Sequence, residues 1–165
     1  MRSATPRDWI RFFVRDDEYA LPLDVVAEVT VSPRPRLIPL ISSDVAGVIN
    51  VNGEPLPALD GGVLLRNRPS PGGRRALVLH RETLRVGLMV DSVSRIEARR
   101  DLSRCPPAEP PPGAWPVSGL IRWHSADGGR LGLLDPDALL GRVGDLLTRQ
   151  AQHTQEERES WPNAF

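Results

Sequence analysis

Asn52-Gly53, set between two apolar runs, constrains the fold more than any other dipeptide in the chain. Both residues tolerate the positive φ that a type I′ turn requires, and that turn matches the twist of the strands on either side. Within Val45 to Asp60, Gly47, Val48, Ile49 and Val51 therefore read as one strand of a hairpin, and Leu56, Ala58 and Leu59 as apolar positions of its partner. A hairpin alone is marginal in water, so further strands must pair with it.

The rest of the chain supplies them. WIRFFV (Trp9 to Val14) is short, aromatic and β-branched, and a charged turn at Arg15 to Glu18 leads to a second strand starting at Tyr19. Val25, Val26 and Val29 around Glu28 fit either a strand or a helical turn. Ser32-Pro33-Arg34-Pro35 then breaks the chain, and Ser42-Ser43-Asp44 offers a cap before the hairpin. RNRPSPGG (Arg66 to Gly73) reads as the clearest linker, with a second lobe beginning at Arg74. ALVLH (Ala76 to His80) and LRVGLMV (Leu84 to Val90) form two more strands, and the proline-rich run from Cys105 to Pro116 is extended loop. Strands at Val117 to His124 and Arg130 to Leu134 flank Asp127-Gly128-Gly129, another hairpin turn.

Asp135-Pro136 starts a helix: an acceptor side chain at the N-cap and a proline in the first turn. Leu139, Leu140, Val143, Leu146 and Leu147 follow at helical spacing. From Thr148 the sequence turns polar, which predicts a flexible tail over residues 148–165 behind a domain over 8–147. About nine or ten short strands and one terminal helix point to an all-β protein of small, closed barrels.

The 165-residue chain is 40% hydrophobic and 25% charged, a globular composition. Its formal net charge is zero, so no global field draws it to nucleic acid or anionic lipid. Every one of the 21 basic residues is arginine, which reads as a coding bias more than a binding device. MRSATPRDW lacks the apolar run of a signal peptide, and no segment is long and apolar enough to insert in a membrane; the expectation is a soluble, cytoplasmic protein. Cys105 is the single cysteine, so an internal disulfide is excluded.

No catalytic constellation emerges. His80, His124 and His153 are scattered, no pair has metal-ligand spacing, and Cys105 has no neighbouring ligand. The glycine pairs at 61–62, 72–73 and 128–129 lack the context of a phosphate loop. The expectation is therefore no enzyme, no metal and no cofactor. Two arginine groups, Arg74, Arg75, Arg81 and Arg85, then Arg95, Arg99, Arg100 and Arg104, keep a nucleic-acid-binding barrel as a minor alternative.

Four segments, in order, resemble CheW, the adaptor of bacterial chemotaxis arrays, from about Trp9 to Leu140. FFVRDDEYALPLDVVAEV looks like the family's opening strands, and VAGVINVNGEPLPALD like its G-V-x-N-L-R-G-x-x-x-P-V-x-D-L core. VGLMVDSVSRI looks like V-G-I-x-V-D-x-V; VSGLIRW with GGRLGLLDPDALL looks like the closing hairpin, strand and helix. The resemblance implies two SH3-like five-stranded barrels sharing a core, with the lobes meeting near the 66–73 loop. It also implies a non-catalytic job at membrane-associated receptor arrays: bridging chemoreceptor cytoplasmic tips to the regulatory domain of the histidine kinase CheA. By the match, Val25, Glu28, Val29, Asn52, Gly53 and Val93 are the candidates for the receptor-facing groove.

Two positions depart from the family pattern. The arginine before the turn glycine is Asn52, and the Asp-Leu-Arg after the second strand is Asp60-Gly61-Gly62. In the family that arginine faces the acid matched here by Glu28, so Arg34 or Arg36 is the substitute cation to look for. Both departures fall in the expected receptor-facing region. They imply a diverged adaptor, with a CheW-fold scaffold for a non-chemoreceptor partner in a motility or other regulatory pathway as the alternative.

Overall fold

Three tight turns set the strand pairs. The computed structural model describes residues 8–31, 34–36, 45–66, 68, 75–97, 107–108, 117–122 and 130–160. Arg15, Asn52 and Glu82, each in the first position of a two-residue turn, have φ of 56°, 52° and 53°. They join β1 (Trp9–Val14) to β2 (Asp17–Pro22), β4 (Val45–Val51) to β5 (Glu54–Asp60), and β6 (Arg75–Arg81) to β7 (Leu84–Val90). At the middle turn Gly53 has φ 87°, so both residues take the conformation the sequence predicts. The Asn50 side-chain oxygen accepts a hydrogen bond from the Gly53 amide at 2.8 Å and fixes that turn further.

A 3₁₀ turn (Leu23–Val25) leads into β3 (Val26–Val31), so the valine run contains both of the conformations left open by its sequence. The remaining elements are α1 (Gly61–Arg66), β8 (Ser92–Glu97), β9 (Pro107–Ala108), β10 (Val117–Arg122), β11 (Arg130–Leu134) and α2 (Pro136–Ser160). The α1 helix was not anticipated. Asp60 starts it by accepting from the amides of Gly62 (2.7 Å) and Val63 (3.3 Å). Asp135 caps α2 as expected, accepting from Asp137 (2.8 Å) and Ala138 (3.2 Å).

The strands form two sheets, ordered β8-β1-β2-β11-β10-β9 and β3-β6-β7-β5-β4. These are the two SH3-like lobes, one of them carrying a short sixth strand where five were expected. The expected lobe boundary near residues 66–73 is incorrect: β6 and β7, which follow that stretch, pair with β3 and β5, which precede it. Residues 26–90 make one complete sheet, and the other is assembled from both ends of the chain. The reason is two parallel ladders, β5 with β7 and β2 with β11, which join strands distant in sequence.

One apolar cluster unites the lobes. Phe12, Leu21 and Leu134 from the first sheet pack with Leu77, Leu79 and Leu88 from the second, and Leu139, Leu140 and Val143 of α2 close over them. A smaller cluster (Ile49, Val51, Leu56, Ala58, Ala76, Val78) fills the second lobe by itself. α2 does not end at Thr148, as the polar sequence suggested, but runs to Ser160. The 37–44, 67, 69–74 and 123–129 stretches, Cys105 and the last five residues lie outside the described residues, as do the cap and loop expectations that fall on them.

Candidate functional site

The most informative strand is β3, an edge of the second sheet. Its register against β6 shifts between Val26 and Glu28, so Ala27 is an extra residue in the ladder. Val26 pairs with Leu79, Val29 with Leu77 and Val31 with Arg75. Leu77 and Leu79 belong to the inter-lobe core, so Val26, Val29 and Val31 share the face that meets the other lobe. Glu28 and Thr30 pair with Val78 and Ala76, on the face of the lobe's own interior.

Coverage decreases along this face. Val26 packs on the core, while Val29 is 42% exposed and Val31 67% exposed. The inter-lobe core thus has an open margin: an apolar strip on an edge strand, with the exposed Arg75 opposite Val31. On the first sheet, Ile96 of β8 is 55% exposed beside Ile10, so that edge also carries an uncovered apolar residue.

Glu28 and Asn52 meet on the other face. The Asn52 amide donates to both carboxylate oxygens of Glu28, at 3.2 and 3.3 Å. This contact bridges β3 to the β4–β5 turn, that is, the two edges of one sheet, and helps to close the lobe. The substitute cation expected at Arg34 or Arg36 is not the partner; the residue in the arginine's own place keeps the contact through a neutral amide. The exchange changes the chemistry of the contact, because an asparagine amide brings no positive charge where the family pattern has a cation. Arg36 instead joins the lobe through its backbone, exchanging hydrogen bonds with Val48 at 2.9 and 3.0 Å.

The six predicted residues therefore divide. Val25 is buried in the core, and Val93, opposite Phe12, is half-buried against it. Asn52 and Gly53 are exposed at the turn, and Glu28 is half-buried beneath Asn52. Val29 is the one predicted valine on the open strip; Val31 and Arg75 belong beside it and were missed. Their signal was the alternation of Val29 and Val31 on a strand whose next residues are Ser32 and Pro33.

The other departure has a steric cause. A Cβ on Gly61 would lie 2.6 Å from the Met89 carbonyl oxygen and 3.2 Å from Val14 Cγ2, so the start of α1 approaches β7 as closely as glycine permits. Asp91, in the V-D-x-V segment, links the lobes by accepting from the Arg15 amide of the β1–β2 turn. Among the described residues no three His, Cys, Asp or Glu side chains group as metal ligands, and no helix is long and apolar enough to cross a membrane.

Comparison with known proteins agrees with this geometry. The family described as CheW-like domain matches residues 8–144. The fold is similar to the crystal structure of the scaffolding protein TtCheW from Thermoanaerobacter tengcongensis, with a TM-score of 0.62 and 20% identity, over 79% of this chain and 90% of that one. No curated protein matches the sequence.

Proposed function

Because the chain belongs to the CheW-like family of scaffold and adaptor domains, we propose that it couples the cytoplasmic tip of a chemoreceptor to the regulatory domain of a CheA-type histidine kinase. It acts without catalysis, at membrane-associated receptor arrays. The observation that carries this reading is the open margin of the inter-lobe core, where Val29 and Val31 are left exposed on an edge strand. A helical receptor tip presents apolar side chains at one-turn spacing, and such a strip supplies the anchors for them.

One observation favours a different partner on the same fold. With Asn52 against Glu28, the contact at this rim holds a carboxylate and no cation, where the family pattern pairs the two. A partner selected for this rim brings its own cation, and then the protein serves a non-chemoreceptor pathway.

Calorimetric titration separates these readings. The full chain is titrated with the CheA regulatory domain and with a receptor-tip fragment from the same organism, alongside Val29→Asp and Asn52→Arg variants. Saturable binding of both partners is expected, with Val29→Asp weakening the receptor tip about tenfold or more. Absence of kinase binding at high concentration sinks the adaptor role. Receptor binding that appears only with Asn52→Arg favours the non-chemoreceptor partner.

A further inference from the structure

The last part of α2 has no place in the domain. From Thr148 to Ser160 every described side chain is exposed except the half-buried Gln150. This stretch also lies beyond residues 8–144, where the family match ends. It is nonetheless helical, with Thr148 Oγ1 donating to the Gly144 carbonyl at 2.9 Å and Gln155 donating to Glu159 at 3.2 Å. Ser160 lies thirteen positions beyond Leu147, the last residue packed on the core. At 1.5 Å per residue the helix carries its end about 20 Å beyond that contact.

The end carried outward has a distinct chemistry. Residues 155–160 hold Glu156, Glu157 and Glu159 against the single Arg158, and Trp161 follows directly. The apolar strip on β3 has the opposite character at its border. Val31 faces Arg75 across the ladder, and Arg34 and Arg36 come next in the chain among the described residues. All three arginines are exposed, and none forms an ion pair with a described residue. An acidic helix end with an adjoining indole thus complements an apolar strip with a basic border in both respects. The helix is continuous from Pro136 to Ser160, so this end stays about 20 Å beyond Leu147 and is offered to the strip of a second copy.

We infer that the acidic end of α2, with the Trp161 that follows it in sequence, docks on the Val29–Val31 strip of a second copy of the chain. The contact joins two different surfaces, so association is head-to-tail, either closing into a ring or continuing as a filament. It occupies the strip assigned above to the receptor, so self-association and receptor binding exclude one another. The inference rests on that reading of the strip as a docking face.

Sedimentation velocity on the full chain, from dilute to concentrated solution, tests it. The weight-average sedimentation coefficient is expected to rise with concentration. Val31→Asp and Trp161→Ala should each move the onset of that rise about tenfold or more upward. Val31 is exposed, and circular dichroism checks that each variant is folded. The double reversal Glu156→Arg, Glu159→Arg should abolish the rise, and adding Arg75→Glu should restore part of it. A coefficient constant over the whole range overturns the inference, as does a rise that either single variant leaves unchanged. The receptor-tip titration is repeated on Trp161→Ala, whose strip is free in any case. Binding there, without self-association of the parent chain, leaves the docking reading standing and removes this inference alone.

Discussion

Asn52 carries two burdens that chemistry can separate. Its φ of 52° is a left-handed conformation that costs an ordinary side chain about 1–2 kcal/mol, and its amide holds Glu28. Asn52→Gly removes only the contact, so urea denaturation should show a loss of about 0.5–1 kcal/mol. Asn52→Ala removes both and should lose about 2 kcal/mol in total. Equal losses would mean that the turn imposes no conformational demand. The turn itself was legible in the sequence, because Asn-Gly has few conformations in which it is preferred. The partner of Glu28 was not: it depends on two edges of a sheet meeting, which no local pattern encodes. For the same reason the valines were assigned to a common groove although they divide between core and surface. The extra residue Ala27 decides which of them face the other lobe, and a bulge leaves little trace in a run of valine, alanine and glutamate.

At the level of elements, α1 and α2 respond to the same substitution with opposite sign. Gly61→Ala forces a Cβ against the Met89 carbonyl, a backbone atom that cannot swing aside, and should cost about 1–3 kcal/mol. Gly144→Ala, in α2, places its Cβ where no atom lies within 4 Å, and should stabilise by about 0.5–1 kcal/mol. Thermal melts of the two variants check both signs. α2 was legible from its Asp-Pro start and its leucine spacing, since capping and amphipathicity are local. Its continuation past Thr148 was not, because polar sequence is equally compatible with an exposed helix and with a coil. Strands were legible one by one, yet their assignment to lobes failed where parallel pairing joins β2 to β11 and β5 to β7.

Across the whole molecule, the absence of lysine makes alkaline stability unusually simple to interpret. Tyr19 is the only tyrosine, buried and stacked on Phe12 at a centroid distance of 6.0 Å. Burial pushes its hydroxyl above the ordinary value of 10.0; the Asp17 carboxylate adds to this, and Arg66 opposes it. The fold therefore holds the neutral phenol, while the unfolded chain ionises first. That contribution is fully present below about pH 10 and is lost as pH rises through the unfolded value towards the raised folded one. Denaturation of the wild type should weaken across that window, and Tyr19→Phe should respond less steeply. Parallel pH profiles would refute the assignment.

The lobe built from both chain ends has a consequence for biosynthesis. By the time Val90 has left the ribosome, every strand of the sheet spanning residues 26–90 is available, and that sheet can close. β2 is then still waiting for β11, which is made some forty residues later. During that interval β2 presents an unpaired edge and Leu21 lacks the cover of α2. Nascent chains stalled after β8 should accordingly hold a protected middle segment while their N-terminal hairpin remains open to chaperones and proteases.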